Sequence, residues 1–189
     1  CIELDAATGE EKAKHLLPET VRDGTHQWGY VSYQDGVLFG TATIRKDLEG
    51  RQKRRGRKTE DLTDGIFAID TATGKHLWYY TGKTIEHRTV SIGDQAVYFI
   101  DSSITPDQRM EILRQDKTKF ADLPEAQQKA TEAKLKKQDV RLAVALDARS
   151  GEKKWEKAVD VTDCSEIGIG GGKLTLLFHN NVLLLCGAN

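Results

Sequence analysis

Three stretches of this chain carry nearly the same text. Ile2–Lys14 reads IELDAATGEEKAK, Ile66–Trp78 reads IFAIDTATGKHLW and Ala143–Trp155 reads AVALDARSGEKKW. An internal repeat constrains the fold more than any single motif does, because each copy is a supersecondary unit that buries its apolar face only by stacking on the next. Aligned on Asp5, Asp70 and Asp147, the copies place Gly9, Gly74 and Gly151 four residues later, and Trp78 and Trp155 eight residues after their Asp. The first copy has Ala13 at the Trp position. Asp-x-x-Thr/Ser-Gly between two strand-like runs reads as a tight turn. The Asp and Thr side chains bond nearby backbone N–H groups, and Gly accepts the positive φ. The apolar run before each Asp predicts a buried inner strand. The Trp on the following strand predicts a wedge between neighbouring sheets.

A second unit alternates with the first: GYVSYQDGVLFGTA (Gly29–Ala42), RTVSIGDQAVYFIDS (Arg88–Ser102) and LTLLFHNNVLLLCGA (Leu174–Ala188). Each is a pair of β-rich runs joined by a turn, at Asp35-Gly36, Gly93-Asp94 and Asn180-Asn181, which is a hairpin signal. Two hairpins make a four-stranded blade, and blades repeated radially make a β-propeller. The expected class is therefore all-β: a propeller segment of four-stranded antiparallel blades. Half a blade is expected at 1–27, a blade at 28–82, a blade at 86–158 and half a blade at 164–189. Closed propellers take about 4–8 blades, so the chain reads as a fragment of a larger propeller.

The motif Ala68-x-Asp70-x-x-Thr73-Gly74-x-x-x-Trp78, with its second copy Ala145-x-Asp147-x-x-Ser150-Gly151-x-x-x-Trp155, resembles the quinoprotein-like (pyrroloquinoline quinone repeat) β-propeller family. That resemblance implies a bacterial periplasmic or extracellular setting. Pyrroloquinoline quinone enters as a cofactor through the resemblance alone. The quinone-dependent alcohol dehydrogenases of this type carry adjacent cysteines and a calcium or lanthanide site. The three cysteines here, Cys1, Cys164 and Cys186, are not adjacent, and no catalytic, cofactor-binding or metal-ligating set emerges from the residues. Propellers of one type serve as enzymes, scaffolds and binding platforms, so fold alone does not choose between them.

The repeat spacing is uneven: Asp70 follows Asp5 by 65 residues and Asp147 follows Asp70 by 77. Two insertions account for most of the excess, a basic one over 44–64 and one over 103–140 expected to be a helical hairpin. Both fall between the first and second hairpins of a blade. Equivalent connections of a propeller emerge on one face, and repeat insertions often mark the binding face. The first insertion carries Arg51, Lys53, Arg54, Arg55, Arg57 and Lys58, a candidate contact for anions. It has no aromatic residue on which a base could stack, so nucleic acid is the weaker partner. The second begins at Thr105-Pro106-Asp107, a helix-start signal, with Met110, Leu113 and Phe120 as an apolar side. A second helix follows Pro124, striped by Ala126, Ala130, Ala133 and Leu135.

Other signals lead to exclusions. The formal net charge is −1, which selects no polyanionic partner, and no apolar run reaches membrane-spanning length. IGIGGGK (Ile167–Lys173) lacks the Ser/Thr and the following helix of a phosphate-binding loop. Asp163, Cys164, Ser165 and Glu166 form a polar cluster beside it. His179 reads as a solvent-facing turn residue, and no two of the five histidines stand at a helical metal-site spacing. Two readings stand for Cys164 and Cys186: a disulfide in an oxidising compartment, or two free thiols buried on strands. Cys1 has the place of a lipidated cysteine, but Ile2–Leu4 already belongs to a repeat strand and leaves no tether. The leading expectation is a non-catalytic recognition or scaffold propeller that meets a protein partner, or its remaining blades, through the insertion-bearing face. The alternative is a quinone-dependent dehydrogenase whose active residues lie outside this segment.

Overall fold

The computed structural model describes residues 1–45, 50–51, 54–56, 63–102, 104–105, 108, 122–162 and 174–187, without the side chains of 134–137. The chain divides into two units: Cys1–Gly82 with Ala148–Gly151, and Lys83–Asp147 with Glu152–Asn189. Among the described residues the architecture is antiparallel β, with a single α-helix longer than one turn.

The first unit opens with the hairpin β1 (Ile2–Leu4) and β2 (Glu11–Lys14). A four-stranded meander follows: β3 (His26–Gln34), β4 (Val37–Ile44), β5 (Thr63–Asp70) and β6 (His76–Thr81), paired in chain order. The two inner strands are apolar and buried almost throughout. Glycines set the packing. Trp28 stands over Gly40 and Tyr79 over Gly65, each so close that a Cβ there would collide with the ring. A strand glycine opposite an aromatic ring is a slot for that ring. Trp28 meets Phe67 edge-on at 4.9 Å, and Tyr79 stacks on Phe67 at 6.5 Å. Leu17 and Val21, from the segment after β2, close this cluster over Leu38, Ala42 and Ile69.

The second unit holds the meander β7 (Ser91–Gly93), β8 (Ala96–Asp101), β9 (Val140–Asp147) and β10 (Lys153–Asp160). It also holds a further hairpin, β11 (Thr175–His179) and β12 (Val182–Cys186). Leu176, Phe178, Leu183 and Leu185 of that hairpin pack on Ala96, Tyr98 and Ala145. Phe178 stacks on Tyr98 at 5.2 Å and fills the space above Gly93.

The turns carry the repeat. In all three Asp-x-x-Thr/Ser-Gly copies the glycine is left-handed: Gly9 at φ 74°, Gly74 at 68° and Gly151 at 72°. Asp70 Oδ1 accepts the Thr73 amide at 2.9 Å and the Thr73 hydroxyl at 3.0 Å. Asp5 Oδ1 accepts the amides of Ala7 and Thr8. The other hairpins close on two consecutive left-handed residues, the twist-matched type I′ arrangement: Asp35-Gly36, Asp94-Gln95 and Asn180-Asn181. The middle turn lies one residue beyond the expected Gly93-Asp94. Gly93 is the last residue of β7, held by the ring above it, so Gln95 takes the left-handed position.

Three other expectations need correction. Ile2 and Leu4 were expected to sit on a buried inner strand, but each is 56% exposed, because among the described residues β1 has β2 as its single strand neighbour. Cys186, a buried free thiol in one of its two readings, is exposed: among the described residues β12 pairs with β11 alone. The expected helical hairpin is described as one helix, α1 (Glu125–Lys137). Ala126, Ala130 and Ala133 on it are exposed rather than packed. Met110, Leu113 and Phe120, expected on a first helix, lie outside the described residues, as do Cys164 with its polar neighbours and the 167–173 glycine run.

Candidate functional site

A polar cluster of the first unit sits where β4 leaves the sheet for the basic link. Its core is His26, the first residue of β3, and Asp64, near the start of β5. The two residues are far apart in sequence and separated by the width of β4. A bulge joins them: Thr43 pairs with Thr63 and Ala42 with Gly65, so Asp64 is the extra residue on its strand. A bulge re-aims the side chain it carries. Here it brings Asp64 Oδ2 to 2.9 Å from His26 Nε2. His26 Nδ1 lies 2.7 Å from the Thr25 hydroxyl, which in turn donates to Asp23 Oδ1 at 2.5 Å. Each of these short contacts holds a proton when the imidazole carries one on both nitrogens; the neutral ring leaves one contact without. The Asp23 carboxyl is held below the usual carboxylate range, first by the Thr25 hydroxyl and then by the Thr25 amide.

The second Asp64 oxygen, Oδ1, is buried and has no hydrogen-bond partner. Tyr79 borders it from β6. Burial, and secondly the Asp64 charge, push the Tyr79 phenol up to about 12. Arg45 stands at the mouth of the link, its amide donating to Thr25 O and its guanidinium to Gly24 O. This cluster ties β3 to β5 across β4. Both ring nitrogens of His26 take part in that tie.

The second unit solves the same local problem differently. At the end of β8, where the chain leaves for its own long link, Asp101 is fully buried. It accepts the amides of Lys83, Thr84 and Ser102 between 2.7 and 3.3 Å. A buried carboxylate that accepts several backbone N–H groups closes a loop. Beside it the Thr89 hydroxyl accepts the Ile100 amide and donates to Glu86 O.

The residues singled out from sequence distribute as follows. Asp5, Gly9, Asp70, Gly74, Asp147 and Gly151 are turn residues. The Asp5 and Asp70 carboxyls are held low, Asp5 first by Lys12 and Asp70 first by the Thr73 amide. Trp78 lies on the turn that contains Gly151, with its Nε1–H donating to Ala148 O at 3.0 Å. Trp155 contacts Tyr98 at 6.0 Å and remains 40% exposed. Of the basic run, Arg51, Arg54 and Arg55 are exposed, while Lys53, Arg57 and Lys58 lie outside the described residues. His179 is exposed at the end of β11. Among the described residues no group of three His, Cys, Asp or Glu is placed to hold a metal ion, and no helix is long and apolar enough to cross a membrane.

Sequence reasoning did not single out His26, Asp64, Tyr79 or Asp101. One local signal pointed to Asp64: the Gly65 beside it, inside a strand-like run, is a bulge cue. No local signal pairs Asp64 with His26. No protein-family model matches this chain, and no curated protein matches it.

Proposed function

We propose that this chain is part of a quinoprotein-like repeat propeller, acting as a non-catalytic recognition or scaffold element in a bacterial periplasmic or extracellular setting. Its contacts with a protein partner are made through the two long links, 45–62 and 102–139. One observation carries the reading. Both four-stranded sheets are meanders with short connections, and in each the long connection falls at the same place, between the second and third strands. Added chain at one repeated position is the pattern of a decorated binding face on a constant scaffold. The exposed Arg51, Arg54 and Arg55 make the first link suited to an acidic patch on that partner.

The test replaces each link by a short Gly/Ser connection. Far-UV circular dichroism should stay that of a β protein, while partner capture, read by co-purification through an affinity tag placed outside both links, should disappear. Capture that survives loss of both links would sink the proposal. So would turnover or a bound redox cofactor in the native protein.

A further inference from the structure

We infer that the His26–Asp64 tie is a pH-operated latch on the stem of the 45–62 link, closed while the imidazole is doubly protonated and opened when one ring proton leaves. The inference goes beyond the proposed function, because the latch needs no partner in order to work.

The proton count follows from the donors and acceptors. The Thr25 hydroxyl has one proton, and it goes to Asp23 Oδ1 at 2.5 Å. Its oxygen therefore accepts at the 2.7 Å contact with His26 Nδ1, so that nitrogen carries a proton. An ionised carboxylate only accepts, so His26 Nε2, at 2.9 Å from Asp64 Oδ2, carries the second. Three contacts in series thus hold three protons, two of them on the ring.

A neutral ring breaks the series at one of two places. Without the Nε2 proton, a nitrogen lone pair faces Asp64 Oδ2. Asp64 Oδ1 is already buried with no hydrogen-bond partner, so the carboxylate is then held by neither oxygen, and it relaxes toward water. Without the Nδ1 proton, the Thr25 hydroxyl must choose between the ring and Asp23.

Histidine is the side chain that changes charge between about pH 5 and 8. Among the described residues, Asp64 faces the ring from β5, and Asp23 lies 3.8 Å from Nδ1 in the turn before β3. Asp23 stays ionised in that window, because the Thr25 hydroxyl and amide hold its carboxyl low. Tyr79 of β6 borders Asp64 and stays neutral, its phenol pushed up to about 12. Arg45, just after β4, gives its guanidinium to Gly24 O at 3.4 Å. The ring proton is the one that leaves as pH rises through the window.

The latch holds the sheet end from which the link departs. The Arg45 amide donates to Thr25 O at 3.0 Å, one step beyond the last β3–β4 pair, His26 with Ile44. The Gly82 amide donates to Asp64 O at 2.7 Å, one step beyond the β5–β6 pair of Gly65 with Thr81. Thr25 and Asp64 each carry a side-chain contact of the latch and a backbone bond of the stem. Opening lets both fray, while the buried Thr43–Thr63 hydroxyl contact at 3.0 Å keeps β4 on β5. The far end of the same strands supplies a control: the Thr71 amide and hydroxyl both donate to Gly36 O at 3.0 Å.

The experiment is amide hydrogen exchange of the 189-residue chain, read by NMR at about pH 6 and about pH 8 and corrected for intrinsic rates. Arg45 protection should fall about tenfold at the higher pH, the loss of one charge-assisted hydrogen bond, while Thr71 protection stays level. Long-range ¹H–¹⁵N spectra should show protons on both His26 nitrogens at the lower pH and on one at the higher. In His26→Gln, Arg45 should be weakly protected at both, with circular dichroism and Thr71 protection unchanged. Asp64→Asn separates proton count from mere loss of a contact. Its amide group both donates and accepts, so it holds a neutral ring, and Arg45 protection should stay at its low-pH level throughout. Arg45 protection equal at the two pH values in the unsubstituted chain, a singly protonated ring at the lower pH, or a pH dependence that survives either substitution overturns the inference.

Discussion

The inner strand β5 and the short strand β1 carry the same repeat, yet one is core and the other surface. Ile66, Phe67 and Ile69 are at most 1% exposed between two neighbouring strands; Ile2 and Leu4 have a neighbour on one side and stand open. The residues are alike, so burial here belongs to the surroundings, two strand partners and the Leu17, Val21, Trp28 and Tyr79 cover, and not to the side chain. A repeat sequence thus states what an element is built to be covered by, and the structure shows whether the cover is in place.

Substitution at matched positions breaks or sharpens this contrast. The largest difference should come from Phe67→Ala against Leu4→Ala. Phe67 is fully buried among Trp28, Tyr79 and Gly40. Its loss should cost about 3–5 kcal/mol in urea unfolding. Leu4→Ala should cost no more than about 0.5 kcal/mol. Equal losses would mean that β1 is covered in solution.

A smaller contrast is set by Gly151→Ala against Gly9→Ala. Both glycines are left-handed, and an L residue there costs about 1–2 kcal/mol. Gly151 also lies under the Trp78 indole, whereas Gly9 faces open space. Crowding adds about 1–3 kcal/mol at Gly151 alone. Thermal unfolding of the two variants gives the difference directly.

The smallest effects are those of pH. The folded-state pKa of the Asp70 and Asp5 carboxyls is depressed, so their contribution is present above the ordinary carboxylate pKa of 3.8 and fades as pH falls through the lower folded value. Asp70→Asn should flatten part of that acid limb. The Tyr79 phenol shifts the other way: stability is intact below pH 10 and lost as pH rises from 10 toward about 12, while the unfolded tyrosine ionises. Tyr79→Phe should remove that alkaline slope; a slope that persists would assign it elsewhere.

The hairpins were legible in the sequence because their signals are local. Asp35-Gly36 and Asn180-Asn181 turn where their residues predict, and the Asp5 and Asp70 carboxylates accept amides of their own turns. The 93–95 turn slipped by one residue because a ring packed over Gly93 overrode turn propensity. The His26–Asp64 tie was not legible. It depends on a bulge that redirects one side chain across an intervening strand, a register fact with no local signature. The Asp101 cluster escaped for a related reason: three amides from two chain segments converge on one carboxylate.

The placement of the long links has a kinetic consequence. Each meander is two hairpins closed by turns of a few residues, and those can form within microseconds. Joining the hairpins, β4 to β5 and β8 to β9, must wait for a long loop to close. That closure term grows only logarithmically: doubling the loop adds about 0.6 kcal/mol. The chain can therefore lengthen, shorten or rewrite these two segments while each hairpin keeps its own folding signal, which makes this the place where new sequence can be tried at the least risk to the sheets.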